Sequence, residues 1–163
     1  METIIFHELK PRKGKRTLPI LHEVEIIYTA PILTDPVLIT RSIHCYEILE
    51  KVIDKRKLDY KEMFFVLLLN RANYCIGYSV IGVGSTSGVV VNRKEIFQLA
   101  LITNASGIVV AHNHPSGNLK PSEQDIQITR TLKAGCDLLE MKLLDHLIIS
   151  SKGYYSMSDD GVL

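Results

Sequence analysis

The sequence predicts an α/β domain, a central mixed β-sheet covered by helices. Three features carry that prediction. Met63 to Leu69 is an unbroken apolar run of strand length, the kind that is buried on both faces. Apolar residues return at helical spacing through Ile43, Tyr46, Ile48, Leu49, Val52 and Ile53. Strand-like and helix-like segments then alternate to the end of the chain, with no internal repeat and no low-complexity tract.

The elements follow in order. Lys10, Arg12, Lys13, Lys15 and Arg16 crowd around Pro11 and Gly14 with few apolar neighbours. A segment that can bury so little is expected to be a flexible basic arm over residues 1–22, with one domain over 23–163. Glu23 to Thr29 alternates as a strand, and a helix is expected from Thr40 to Asp54 past the Asp35-Pro36 breaker. Met63 to Asn70 is the buried strand. Asn70-Arg71-Ala72-Asn73 turns the chain, and Tyr74 to Gly84 returns as a hairpin. Asn92 opens a helix to Thr103, with Glu95 spaced to bond back to the Asn92 amide. Gly107 to Ala111 is a short buried strand. Ser122 starts a further helix, which Gly135 is expected to end as a left-handed cap. Leu143 to Ser150 is the last strand.

Composition narrows the class of protein. The chain has 163 residues, 46% apolar and 23% charged, with a formal net charge of +1. That length can bury a core without disulfides or a structural metal. The near-neutral balance excludes a strongly basic nucleic-acid-coating protein and a disordered polyelectrolyte. No apolar run is long enough to span a bilayer, and residues 1–22 lack the pattern of a signal peptide. Cys45, Cys75 and Cys136 are odd in number and widely spaced, which argues for a reducing compartment. A cytoplasmic protein is expected.

Two of the six histidines stand together. His112 and His114 follow the buried strand at i and i+2, so in extended backbone both rings point to one side. Pro115, Ser116 and Gly117 then force a turn, and Asp125 falls in the first turn of the next helix. Two imidazoles and one carboxylate leave one position of a tetrahedral zinc open, the pattern of a catalytic site. Ser122 and Asp125 alone would read as a helix cap. The combination decides otherwise: chance would produce these four residues at this spacing on the order of once in several thousand chains of this length. His146 and Asp145, in an apolar strand, read as a satisfied buried pair, with orientation of a ligand as the other possibility.

His112-x-His114, seven residues, Ser122, two residues and Asp125 match the metal motif of the JAMM (JAB/MPN) metallopeptidases at every fixed position. His112-Asn113-His114-Pro115-Ser116-Gly117, then Pro121-Ser122 and Asp125, resembles the RadC family of JAB-domain proteins more closely. Asn92 to Phe97 and Leu144 to Ile149 resemble that family's flanking segments, so the likeness runs from Glu62 to Ser156. The resemblance implies a cytidine-deaminase-like three-layer fold and one zinc held by His112, His114 and Asp125. It also implies a glutamate just before the core strand, which Glu62 matches, and an oxyanion-stabilising serine, which is Ser122. Glu95 is the rival base, although its helix-cap spacing accounts for it without catalysis.

The function so implied is that of a zinc-dependent hydrolase of metallopeptidase or isopeptidase type. Metal-bound water, activated by Glu62, would attack an amide carbonyl of a peptide or protein substrate. Two other readings stand beside it. One is a DNA-associated protein of the repair or mobile-element type, resting on the family name and the basic segment Lys10 to Arg16. A net charge of +1 weighs against strong non-specific DNA binding. The other is a non-catalytic interaction module whose zinc only fixes the loop between His112 and Asp125. The sequence leaves the oligomeric state open.

Overall fold

The computed structural model describes residues 3–8, 22–85, 88 and 90–163. They fall in two compact units, Met1–Ile32 and Leu33–Leu163. The first is an antiparallel ribbon of β1 (Thr3–Glu8) and β2 (His22–Ile27), with Thr3 opposite Ile27 and Glu8 opposite His22. The expected flexible arm is therefore corrected at Thr3–Glu8, where Thr, Ile, Ile and Phe favour extended, paired backbone. The basic cluster Lys10 to Arg16 lies outside the described residues.

The second unit runs α1 (Ser42–Val52), a 3-10 turn (Lys55–Lys57), β3 (Met63–Leu69), β4 (Cys75–Val83), α2 (Arg93–Ile102), β5 (Gly107–Asn113), α3 (Glu123–Leu138), β6 (Lys142–Ser150) and β7 (Gly153–Ser156). Its five strands form one sheet in the order β4-β3-β5-β6-β7. The β5–β6 pair is parallel and the others are antiparallel, so the sheet is mixed. The parallel pair needs a long crossover, and α3 supplies it. β7 escaped the sequence reading because four residues are too few to show alternation. β5 runs two residues further than expected and so includes His112 and Asn113.

All seven residues of β3 are buried, as an apolar run at the centre of a covered sheet requires. Phe65, Leu67 and Leu69 pack with Cys45 and Leu49 of α1. Phe64, Val66 and Leu68 pack with Ile96 and Ala100 of α2 and with Leu132 and Cys136 of α3. The result is three layers: α1, the sheet, and the α2–α3 pair. The three cysteines are free thiols, and burial pushes Cys45 up to about 12 and Cys136 up to about 11. Among the described residues no helix is long and apolar enough to cross a membrane.

One helix end differs from expectation. Gly135 does not cap α3; the helix continues through it to Leu138, and the left-handed residue is Glu140, with φ 55°. Gly135 serves instead for close approach. A Cβ at this position would overlap the Phe97 ring of α2. Gly135→Ala is therefore expected to lower stability by about 1–2 kcal/mol, although alanine is the better helix former by about 1 kcal/mol. In a Phe97→Ala background the same change should stabilise. Urea denaturation of the three variants checks both signs, and a stabilised single variant would contradict the packing argument.

Candidate metal centre

The alternation along β5 sets up the site. Val109 and Ala111 face the α1 layer, whereas Ile108 and Val110 face the α2–α3 layer. Two residues on, the same parity sends His112 toward α3 and Asn113 toward the opposite layer. Asn113 is fully buried there. Its Oδ1 accepts from the Met63 amide at 2.8 Å, and its Nδ2 donates to the carbonyls of Leu58 at 2.7 Å and Lys61 at 2.8 Å. These bonds clamp the segment that carries Glu62. Glu62 is also held by its own backbone, which accepts from Gly84 N at 2.8 Å and donates to Ser85 O at 3.0 Å.

His114 lies one residue past β5, and its amide still donates to Ile149 O of β6 at 2.9 Å. His114-Pro115-Ser116-Gly117 then closes a turn, Gly117 N donating to His114 O at 3.0 Å. Proline presets the first corner, and Gly117 takes φ +74°, where a side chain would be strained. The turn brings Asn118 O to within 2.6 Å of His114 Nδ1.

The third residue comes from the start of α3. Ser122 and Asp125 form a full capping box: Asp125 N donates to Ser122 Oγ at 3.2 Å, and Ser122 N donates to Asp125 Oδ2 at 2.7 Å. The Ser122 hydroxyl also donates to Oδ2, at 2.6 Å. Asp125 is thereby fixed with its carboxylate facing the two rings, Oδ1 at 3.1 Å from His112 Nε2 and Oδ2 at 3.5 Å from His114 Nε2. Phe64 stacks on His112 with ring centroids 6.0 Å apart and meets His146 edge-on at 5.6 Å.

These three side chains can be tested as a cation site by where their protons lie. A carbonyl oxygen only accepts, so His114 donates its Nδ1 proton to Asn118 O and, as a neutral ring, keeps a lone pair on Nε2. That nitrogen lies 2.9 Å from His112 Nε2, a spacing at which a proton on one ring or a cation beside both holds the two nitrogens together. His112, His114 and Asp125 each offer one ligand atom, all within 4.8 Å of one another, and the set fits a divalent ion.

Burial pushes the Asp125 carboxyl up, but the adjacent His112 and His114 rings and Ser122 outweigh it and hold the group well below the carboxylate range. Asp125 beside it raises His114, against the opposing effect of burial. Burial raises Glu62 above the usual glutamate value, partly offset by the two histidines.

A cleft of about 670 Å³ opens over the group, lined by Glu62, Ser122, His112, His114 and Asp125, with Phe64, Val91 and Ile128 as apolar wall. The structure thus brings together Glu62, Ser122, His112, His114 and Asp125, and leaves Glu95 outside the cleft. Glu95 stays at the start of α2, its amide donating to Asn92 Oδ1 at 3.3 Å and its carboxylate accepting from Asn92 Nδ2 at 3.3 Å. Asp145 and His146 do not form a side-chain pair. Asp145 accepts from Ser156 Oγ at 2.6 Å and Ser158 N at 3.0 Å and so holds the end of the sheet, while His146 Nε2 lies 2.8 Å from His112 Nδ1. Asn113 and Asn118 were missed in the sequence. The one signal for Asn113 was a polar residue continuing the buried parity of β5.

The site lies in a three-layer α/β domain with a His-x-His pair at a central strand end and an aspartate on the next helix, a group that could hold a metal ion. The chain belongs to the RadC-like JAB domain family, which it matches over residues 39–162, and its sheet and helices have the cytidine-deaminase-like arrangement. It is 40% identical over 124 residues to a UPF0758 protein of Flavobacterium johnsoniae, covering 76% of this chain and 53% of the relative. UPF0758 proteins of Protochlamydia amoebophila and Aquifex aeolicus are each 37% identical, over 77% and 72% of this chain and 53% and 49% of their own lengths. The chain therefore spans about half the length of the curated relatives it matches.

The clamp by Asn113 generates a prediction. Asn113→Ala leaves one buried amide and two carbonyls without partners and is expected to cost about 3 kcal/mol. Urea denaturation measures it, and a loss below about 0.5 kcal/mol would show that Asn113 does not hold the Glu62 segment.

Proposed function

We propose that this domain is a zinc-dependent hydrolase acting on an amide bond of a peptide or protein, of metallopeptidase or isopeptidase type. The observation that carries the reading is the convergence of His112, His114 and Asp125 on one point beneath a cleft that Glu62 also lines. Two nitrogens and one oxygen suit zinc and leave a position for water and substrate. Such an ion supplies Lewis acidity, bringing the pKa of water toward neutrality and polarising an amide carbonyl.

The protein's own groups do the rest. His112 and His114 through ring nitrogens and Asp125 through its carboxylate would hold the ion. Glu62 takes the proton of the attacking water and returns it to the leaving nitrogen. Its carboxyl is half-buried in the cleft and raised by that burial, which moves it toward the range where one group can both accept and donate at neutral pH. No side-chain hydrogen bond restrains it among the described residues. Ser122 has two roles in this reading. It caps α3, and once Asp125 is committed to the ion its hydroxyl can turn to the substrate oxygen that gains charge.

Turnover of peptide and isopeptide libraries by the zinc-loaded protein tests the assignment. Glu62→Gln is expected to keep fold and metal while losing at least about a hundredfold in rate. Ser122→Ala should cost about 1 kcal/mol of stability and about 10²–10³ in rate. Activity in Glu62→Gln equal to wild type would remove Glu62 as the base. A Ser122→Ala variant that loses stability alone would leave Ser122 as a cap only.

A further inference from the structure

Behind His112 the structure contains a chain of buried polar groups that the proposed reaction does not use. His112 Nδ1 lies 2.8 Å from His146 Nε2, and His146 Nδ1 lies 2.6 Å from Thr129 Oγ1. Thr129 Oγ1 in turn lies 2.5 Å from the backbone carbonyl of Asp125. His112, His146 and Thr129 are almost wholly shielded from solvent, at 1%, 0% and 3% exposed. Water therefore does not compete for these bonds.

The direction of every proton in the chain follows from its last member. The Asp125 carbonyl can only accept, so the single hydroxyl proton of Thr129 goes to it; the Met157 sulfur, at 3.4 Å, is the weaker and more distant alternative. Thr129 Oγ1 then accepts, and His146 must donate from Nδ1. As a neutral ring His146 has a bare Nε2, which accepts from His112 Nδ1. His112 is left with its lone pair on Nε2, the atom that faces His114 Nε2 at 2.9 Å and Asp125 Oδ1 at 3.1 Å. Were Thr129 absent, His146 could carry its proton on Nε2, and His112 would have to carry its own on the nitrogen that faces the site.

We propose that Thr129 is a positioning residue that sets the metal-ready state of two ligands at once: His112 through the tautomer of His146, and Asp125 through its backbone carbonyl. The inference rests on the metal reading given above. One hydroxyl on α3 thus couples a ligand on β5 to a ligand on its own helix. The partner groups are 17 residues apart for Thr129 and His146 and 34 apart for His146 and His112. Thr129 also makes the ordinary helical bond from a threonine hydroxyl to the carbonyl four residues back. A purely structural role would end there, whereas a positioning role reaches the metal through His146.

The experiment measures metal affinity and not turnover. Zinc dissociation constants are obtained by competition with a chromogenic chelator for wild type, Thr129→Val and Thr129→Ser, and visible spectra are recorded with cobalt(II). Thr129→Val keeps the shape but loses the hydroxyl, and its zinc dissociation constant is expected to rise about 10–100-fold with an altered cobalt spectrum. Thr129→Ser restores the hydroxyl and should return to within about threefold of wild type. A folded Thr129→Val that binds zinc as tightly as wild type, with the same cobalt spectrum, would overturn the proposal while leaving the metal site intact. A wild type that takes up no zinc would overturn the metal reading and this proposal together. If Thr129→Val does not fold, imidazole nitrogen NMR of the wild type decides: His146 protonated at Nδ1 supports the relay, and His146 protonated at Nε2 overturns it.

Discussion

The end of β5 has to satisfy two layers of the domain with adjacent residues, and the rest of the site depends on how it does so. Strand parity turns His112 toward α3 and Asn113 toward the Leu58–Lys61 segment. Neither residue can shift without the other, because a slip of one position would exchange an imidazole and an amide between two different environments. The β3–β5 pairing fixes that register, with Phe64 opposite His112. One strand end thus places one ring of the His112–His114–Asp125 group on one face and secures the glutamate of the cleft from the other.

Burying this many polar groups is tolerable because each is answered. Among the described residues no buried side-chain nitrogen or oxygen lacks a hydrogen-bond partner. Such a network specifies one arrangement, since any alternative strands a donor or an acceptor in low dielectric. At the mouth of the network two ring nitrogens lie 2.9 Å apart. Such a contact is held by a proton on one ring or by a cation beside both. Asp125, held by the cap of α3, brings a negative charge beside the two rings, as a group that could hold a cation requires.

What the sequence revealed depended on how local each signal was. His112, His114, Ser122 and Asp125 were legible because their spacing lies within one strand–turn–helix, where parity and capping are short-range rules. β3 was legible because only a doubly covered strand carries seven apolar residues in succession. Gly135 was misread because a helix-ending glycine and a glycine that admits a neighbouring ring look the same in sequence; the difference is Phe97, on another helix. Thr129 gave no signal at all, since its partners are set by the packing of α3 on β6 and β5. The pairing of Thr3–Glu8 was obscured by the basic cluster that follows it, and Glu62 was singled out by resemblance more than by its surroundings.

The central claim is that His112, His114 and Asp125 form a single metal centre, and elemental analysis tests it most directly. The protein, His112→Ala and Asp125→Ala are purified without added metal, then offered zinc and desalted. About one zinc per chain is expected in the wild type and almost none in either variant, all three remaining folded by circular dichroism. A folded wild type that retains no metal, or variants that retain as much as the wild type, would contradict the account and leave Ser122 and Asp125 as a helix cap alone.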